Sequence, residues 1–137
     1  MTIMTDAAPT SPFIERAYQD TYDLLVAVRD YISGPMQEDA KGLENDDRLQ
    51  LTYALSRITR QLTDVMAWLM LQKAVAAGEL SQEAAASEPA AALESLKDIQ
   101  EEMDNAALSR LPLAARGMID RTRRITALVG QLDGNVG

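Results

Sequence analysis

One carboxylate interrupts the apolar half of a helix-forming stretch: Asp64, at the head of DVMAWLMLQKAVAAGE. It is the acid best placed in this sequence to serve as a lone general base. Its neighbours argue for something plainer. Arg57 and Arg60 precede it by one to two turns and Gln61 sits on its flank, a spacing suited to pairing along a helix surface. The chain contains no histidine and no cysteine, so it has no imidazole base, no thiolate nucleophile and no usual zinc site. The Glu-x-x-His pairs that build carboxylate-bridged metal centres in helical bundles are impossible here. Neither a glycine-rich phosphate loop nor a G-x-S-x-G elbow is present. These residues predict no catalysis, no cofactor and no metal.

The remaining chemistry is charge. The net charge is −8, and it is unevenly spread. Residues 79–105 hold eight acids, including Glu83, Glu88, Glu101 and Asp104, against the single base Lys97. Residues 110–124 reverse the sign, with Arg110, Arg116, Arg121, Arg123 and Arg124 against Asp120 alone. An acidic connector beside a basic helix implies mutual screening, or simply two solvated faces. The arginine cluster lacks aromatic neighbours and a second helix arranged for groove entry, and the net charge opposes binding to phosphates. Nucleic acid is not an expected partner.

The elements that carry these groups are helical. Apolar residues make up 47% of the chain but aromatics only 4%, with much alanine and leucine, a mix that favours helices over strands. One hundred and thirty-seven residues suit one domain with a modest core. The opening MTIMTDAAPT has no basic n-region or long apolar run, so no signal peptide is expected. The longest apolar run, Val65 to Leu71, has seven residues, far short of the roughly 20 that span a membrane. A cytoplasmic protein without a membrane partner is the expectation.

Three long helices follow from the period. Helix A is predicted over 12–33: Ser11 caps, Pro12 occupies the first turn, and Gly34-Pro35 ends it. Its stripe reads Ile14, Tyr18, Thr21, Leu25, Val28, Ile32. MQEDAKGLEN follows as a polar connector. Helix B, predicted over 47–77, opens on Asp47-Arg48-Leu49-Gln50, a variant of the capping box. Its stripe is Leu51, Leu55, Ile58, Leu62, Val65, Leu69. Helix C, predicted over 110–133, shows Leu111, Ala115, Met118, Thr122, Ile125, Val129, Leu132. A shared 3.5-residue apolar period predicts an all-α three-helix bundle with shallow crossing angles. Connector 79–108 is read as partly ordered: Ser81 to Ala86 suits a helical turn, and Ala90 to Met103 suits either a weak amphipathic helix or disorder.

Helix B carries a second, mixed face. Trp68 lies roughly 90° from the centre of its stripe and Leu71 points almost directly away. Back along the helix this face holds Tyr53, Arg57, Arg60 and Asp64. At 31 residues helix B spans roughly 46 Å, more than helices A and C can wrap. Two covers are open: a second copy of the chain, or the B–C connector folding over Trp68 and Leu71. Tyr53, Arg57, Arg60, Trp68 and Leu71 are therefore the candidate residues for contact with a partner or second copy, with Tyr22 and Arg29 on helix A as alternatives.

The stretch YALSRITRQLTDVMAWLMLQKAVAAGELS, residues 53–81, resembles the most recognisable segment of the alphaproteobacterial regulator of CtrA degradation family. The helix A ending DYISGPMQEDAKGL and the C-terminal LPLAARGMIDRTRRITALVGQLD are similar to that family too. The likeness covers about residues 13–133 and weakens through 82–108. It implies a three-helix bundle that forms a homodimer and acts as a non-enzymatic adaptor. Members assist regulated proteolysis of cell-cycle regulators with the ATP-dependent ClpXP protease and other adaptors. The sequence departs from the best-known member in ending at Gly137, where that protein continues in a flexible tail, so delivery through such a tail is not expected of these residues. The alternative is a structural or signalling helical dimer with another protein partner.

Overall fold

A computed structural model describes residues 11–97 and 105–136. Its elements are α1 (Pro12–Ser33), α2 (Pro35–Lys41), α3 (Asn45–Ala76), α4 (Gln82–Ala86), α5 (Asn105–Ser109) and α6 (Leu113–Val136), with 3-10 turns at Pro89–Ala92 and Glu94–Lys97. Every described element is helical, and α1, α3 and α6 are the predicted helices A, B and C.

Of the two caps expected from the sequence, at Ser11 and at Asp47, the first forms. Ser11 Oγ accepts from the Phe13 N–H at the start of α1, and Pro12 supplies a preset φ. Ser81 Oγ caps α4 by accepting from the Ala84 N–H at 3.0 Å. The predicted capping box of α3 does not form. The helix starts two residues earlier, at Asn45, and Glu44 caps it without a side-chain bond. Asp47 sits inside the first turn and accepts from Arg110 Nε at 3.0 Å instead. The loop expected after α1 also contains structure, because Pro35 nucleates α2, a helix of about two turns. Tyr31 anchors α2 by donating its hydroxyl to Asp39 Oδ2 at 2.7 Å.

The core is a single cluster in which Leu24, Val28, Leu55, Ile58, Leu62, Val65, Leu69, Met118, Ile125 and Val129 are buried. In α1 the buried line reads Ile14, Ala17, Thr21, Leu24, Val28, Tyr31 rather than the expected 14, 18, 21, 25, 28, 32. The helix is rotated by about half a residue step, leaving Tyr18 and Leu25 at the margin and Ile32 exposed. Both lines are apolar, so periodicity alone does not choose between them. Insertion of the Tyr31 ring and its bond to Asp39 accompany the observed rotation.

Two ion pairs fix the helix directions. Lys73 near the end of α3 bonds Glu15 at the start of α1 at 3.0 Å, and its ammonium lies 4.1 Å from the centre of the Tyr18 ring. These helices are therefore antiparallel. Arg110, just before α6, meets Asp47 at the start of α3, so α3 and α6 run parallel. Parallel neighbours require a connection that returns the length of the bundle, roughly 48 Å for 32 residues. Within that connection, α4 and the 3-10 turns at Pro89–Ala92 and Glu94–Lys97 pack on α3.

Candidate protein-interaction surface

The crossover answers which cover protects the tryptophan. Trp68 is 1% exposed, buried within its own chain. Asp64, one turn earlier on the same side of α3, accepts from the Ser95 backbone N–H at 3.2 Å. That bond fastens the crossover to α3, and buried Ala85 and Leu93 add apolar contact area. Leu93 holds a left-handed conformation, φ 49°, between the two 3-10 turns, a strain tolerated where packing fixes it. Asp64 is thus a structural acceptor. Of the two covers left open for Trp68, burial within one chain speaks for the connector, and the expectation that Trp68 contributes to a surface shared with a second copy is corrected.

The other candidates separate. Arg57, on the crossover side of α3, is half-buried and engaged with a neighbour. Leu71 is half-buried. Tyr53 is 62% exposed, and Arg60 is exposed as well. Arg60 borders a groove of about 440 Å³ between α3 and the α1–α2 corner, walled by Ile32, Met36, Leu55 and Thr59. On α1, Tyr22 is exposed and Arg29 is tied to its neighbour Asp30 at 3.1 Å.

The face of α3 left in solvent is therefore rotated away from the one the sequence marked. It runs Leu49, Tyr53, Ser56, Arg60, Thr63, Ala67, Met70, a second line with alternating spacings of four and three residues. Leu49 and Met70 at its ends are both more than half exposed. The 4–3 spacing of these residues is legible in the sequence, but the large apolar Trp68 and Leu71 mark the neighbouring face instead. The middle of the line is small or polar, which allows close approach of another helix, and the ends supply apolar area. Among the described residues, no group of three or more Asp, Glu, His or Cys is arranged to hold a metal ion. No helix among them is long and apolar enough to cross a membrane.

A family profile described as "Protein of unknown function (DUF1465)" matches residues 5–137. The chain belongs to the DUF1465 family. Among solved structures it is similar to RcdA from Caulobacter crescentus CB15, at 26% identity and a TM-score of 0.69, over 91% of this chain and 92% of that one. RcdA is a regulator of CtrA degradation, so the fold and the family resemblance read from residues 53–81 agree with this likeness. No curated protein matches the sequence. Similarity to RcdA supports an adaptor-like role in proteolysis for this DUF1465 member.

Proposed function

We propose that this protein is a non-enzymatic adaptor that works as a homodimer and assists the ClpXP protease in degrading cell-cycle regulators, together with other adaptors. The likeness to RcdA over nine-tenths of both chains carries the reading. The exposed α3 line supports the dimer. An isologous pair of such lines would bury Leu49, Tyr53 and Met70, while Ser56, Thr63 and Ala67 let the backbones approach. Tyr53 and Arg60 are the residue types that anchor contacts of this kind, and Arg60 also reaches the groove beside Ile32 and Met36.

The test is reconstituted degradation of a cell-cycle regulator by ClpXP, with wild type or the double variant Tyr53→Ala/Arg60→Glu, alongside sedimentation. Wild type should sediment near twice 15.0 kDa and accelerate degradation. The variant should do neither. Acceleration lost with the dimer intact would assign the α3 face to the partner instead. Failure of wild type to change degradation at any concentration would reject the adaptor reading and leave a structural or signalling dimer.

A further inference from the structure

A second surface lies at the opposite charge extreme of the molecule. A groove of about 490 Å³ runs between α5 and the first half of α6, with Leu108, Leu113 and Ile119 as its apolar lining and Arg116, Asp120 and Arg123 as its charged groups. Leu113 is 76% exposed, more than any other large apolar side chain in the described residues. A docked apolar group would remove that side chain from water. Gly117 forms part of the groove, and a Cβ added there would meet nothing within 4 Å, so the space is open.

The polar chemistry points to a carboxylate. Arg116 Nε is buried and finds no hydrogen-bond partner among the described residues. The guanidinium is a fork of charged donors, and a carboxylate presented to it is the acceptor that matches it best. Arg116 and Arg123 outnumber Asp120 along the groove, so its lining is net positive while the whole chain carries −8. Five arginines face one acid between 110 and 124. A duplex or single strand of nucleic acid would gain from the arginines but leave the apolar lining uncovered and meet Asp120 at close range.

We infer that the α5–α6 groove docks a short acidic segment of a partner protein, placing a leucine- or methionine-like side chain beside Leu113 and a carboxylate on Arg116. The segment engages as an amphipathic peptide, with apolar anchors in the groove and acids along its basic edge. This surface is separate from the α3 line, so it stands or falls independently of the dimer.

A displayed library of random 12-residue peptides, panned against the full chain, tests the inference. Recovered peptides should share an apolar residue flanked by Asp or Glu. Labelled versions should bind Leu113→Glu and Gly117→Leu at least tenfold more weakly than wild type. Gly117→Leu fills the groove at a position with room for a side chain and removes a helix-weakening glycine, so its circular dichroism should match wild type. Binding by Tyr53→Ala should stay within twofold, which separates this site from the α3 face. No enrichment, a consensus without acids, or equal binding by Gly117→Leu would overturn the proposal. So would a labelled oligonucleotide that binds the groove in place of the peptides.

Discussion

Trp68→Ala distinguishes the two covers of α3 directly. In the structure this side chain is 1% exposed and lies inside one chain. A tryptophan buries roughly 200 Å² on folding, which at about 25 cal/mol per Å² sets an upper bound near 5 kcal/mol. Alanine retains a little of that and leaves a cavity, so the expected loss is about 3–5 kcal/mol. Urea unfolding followed by circular dichroism at 222 nm measures it without relying on the deleted fluorophore. The loss should be the same at low and high protein concentration, because the contact is intramolecular. A tryptophan at a subunit interface would behave differently: raising the concentration would restore the midpoint by mass action. A loss under about 1 kcal/mol, or one that vanishes at high concentration, would refute the crossover packing described above.

Three further outcomes follow from the same contacts. Asp64→Ala removes the acceptor of the Ser95 N–H. It should cost about 1–3 kcal/mol and speed hydrogen exchange at Ser95, as read by NMR. Leu62→Ala, at a fully buried core position, should cost about 2–5 kcal/mol in urea unfolding, and a value below about 0.5 kcal/mol would misassign the stripe. Burial, then the bond to Asp39 and its charge, push the Tyr31 phenol well above its ordinary value. The folded state therefore resists ionisation, so this contribution is complete below about pH 10 and lost as pH climbs beyond it. Tyr31→Phe should lower stability by about 1 kcal/mol at pH 7, and its gap from wild type should narrow above about pH 10 in alkaline unfolding curves.

Local rules were enough for the three long helices. Apolar residues repeated every three or four positions leave no strand alternative, and Ser11-Pro12 and Ser81 start helices through bonds a few residues long. The lack of histidine and cysteine is likewise a property of composition. The tertiary structure decided matters that depend on direction and rotation. Helical periodicity leaves two covers open for the flank of helix B that carries Trp68, and in the structure residues 82–97 take a path across that flank. Trp68 and Asp64 fall under that path, while Tyr53, Arg60 and Met70 do not. Alpha-helical periodicity gives each side chain an angle about its own axis and says nothing of which neighbour lies there. Nor does it separate Leu24 and Tyr31 from Leu25 and Ile32 on α1, since both lines are apolar and only the Tyr31–Asp39 contact with α2 distinguishes them. The weak segment after Ala90 forms 3-10 turns up to Lys97, and the acids from Asp98 to Asp104 lie outside the described residues. Short-range patterns fixed which residues are helical, whereas the ion pairs Lys73–Glu15 and Arg110–Asp47, 58 and 63 residues apart in sequence, record which faces are left for a partner.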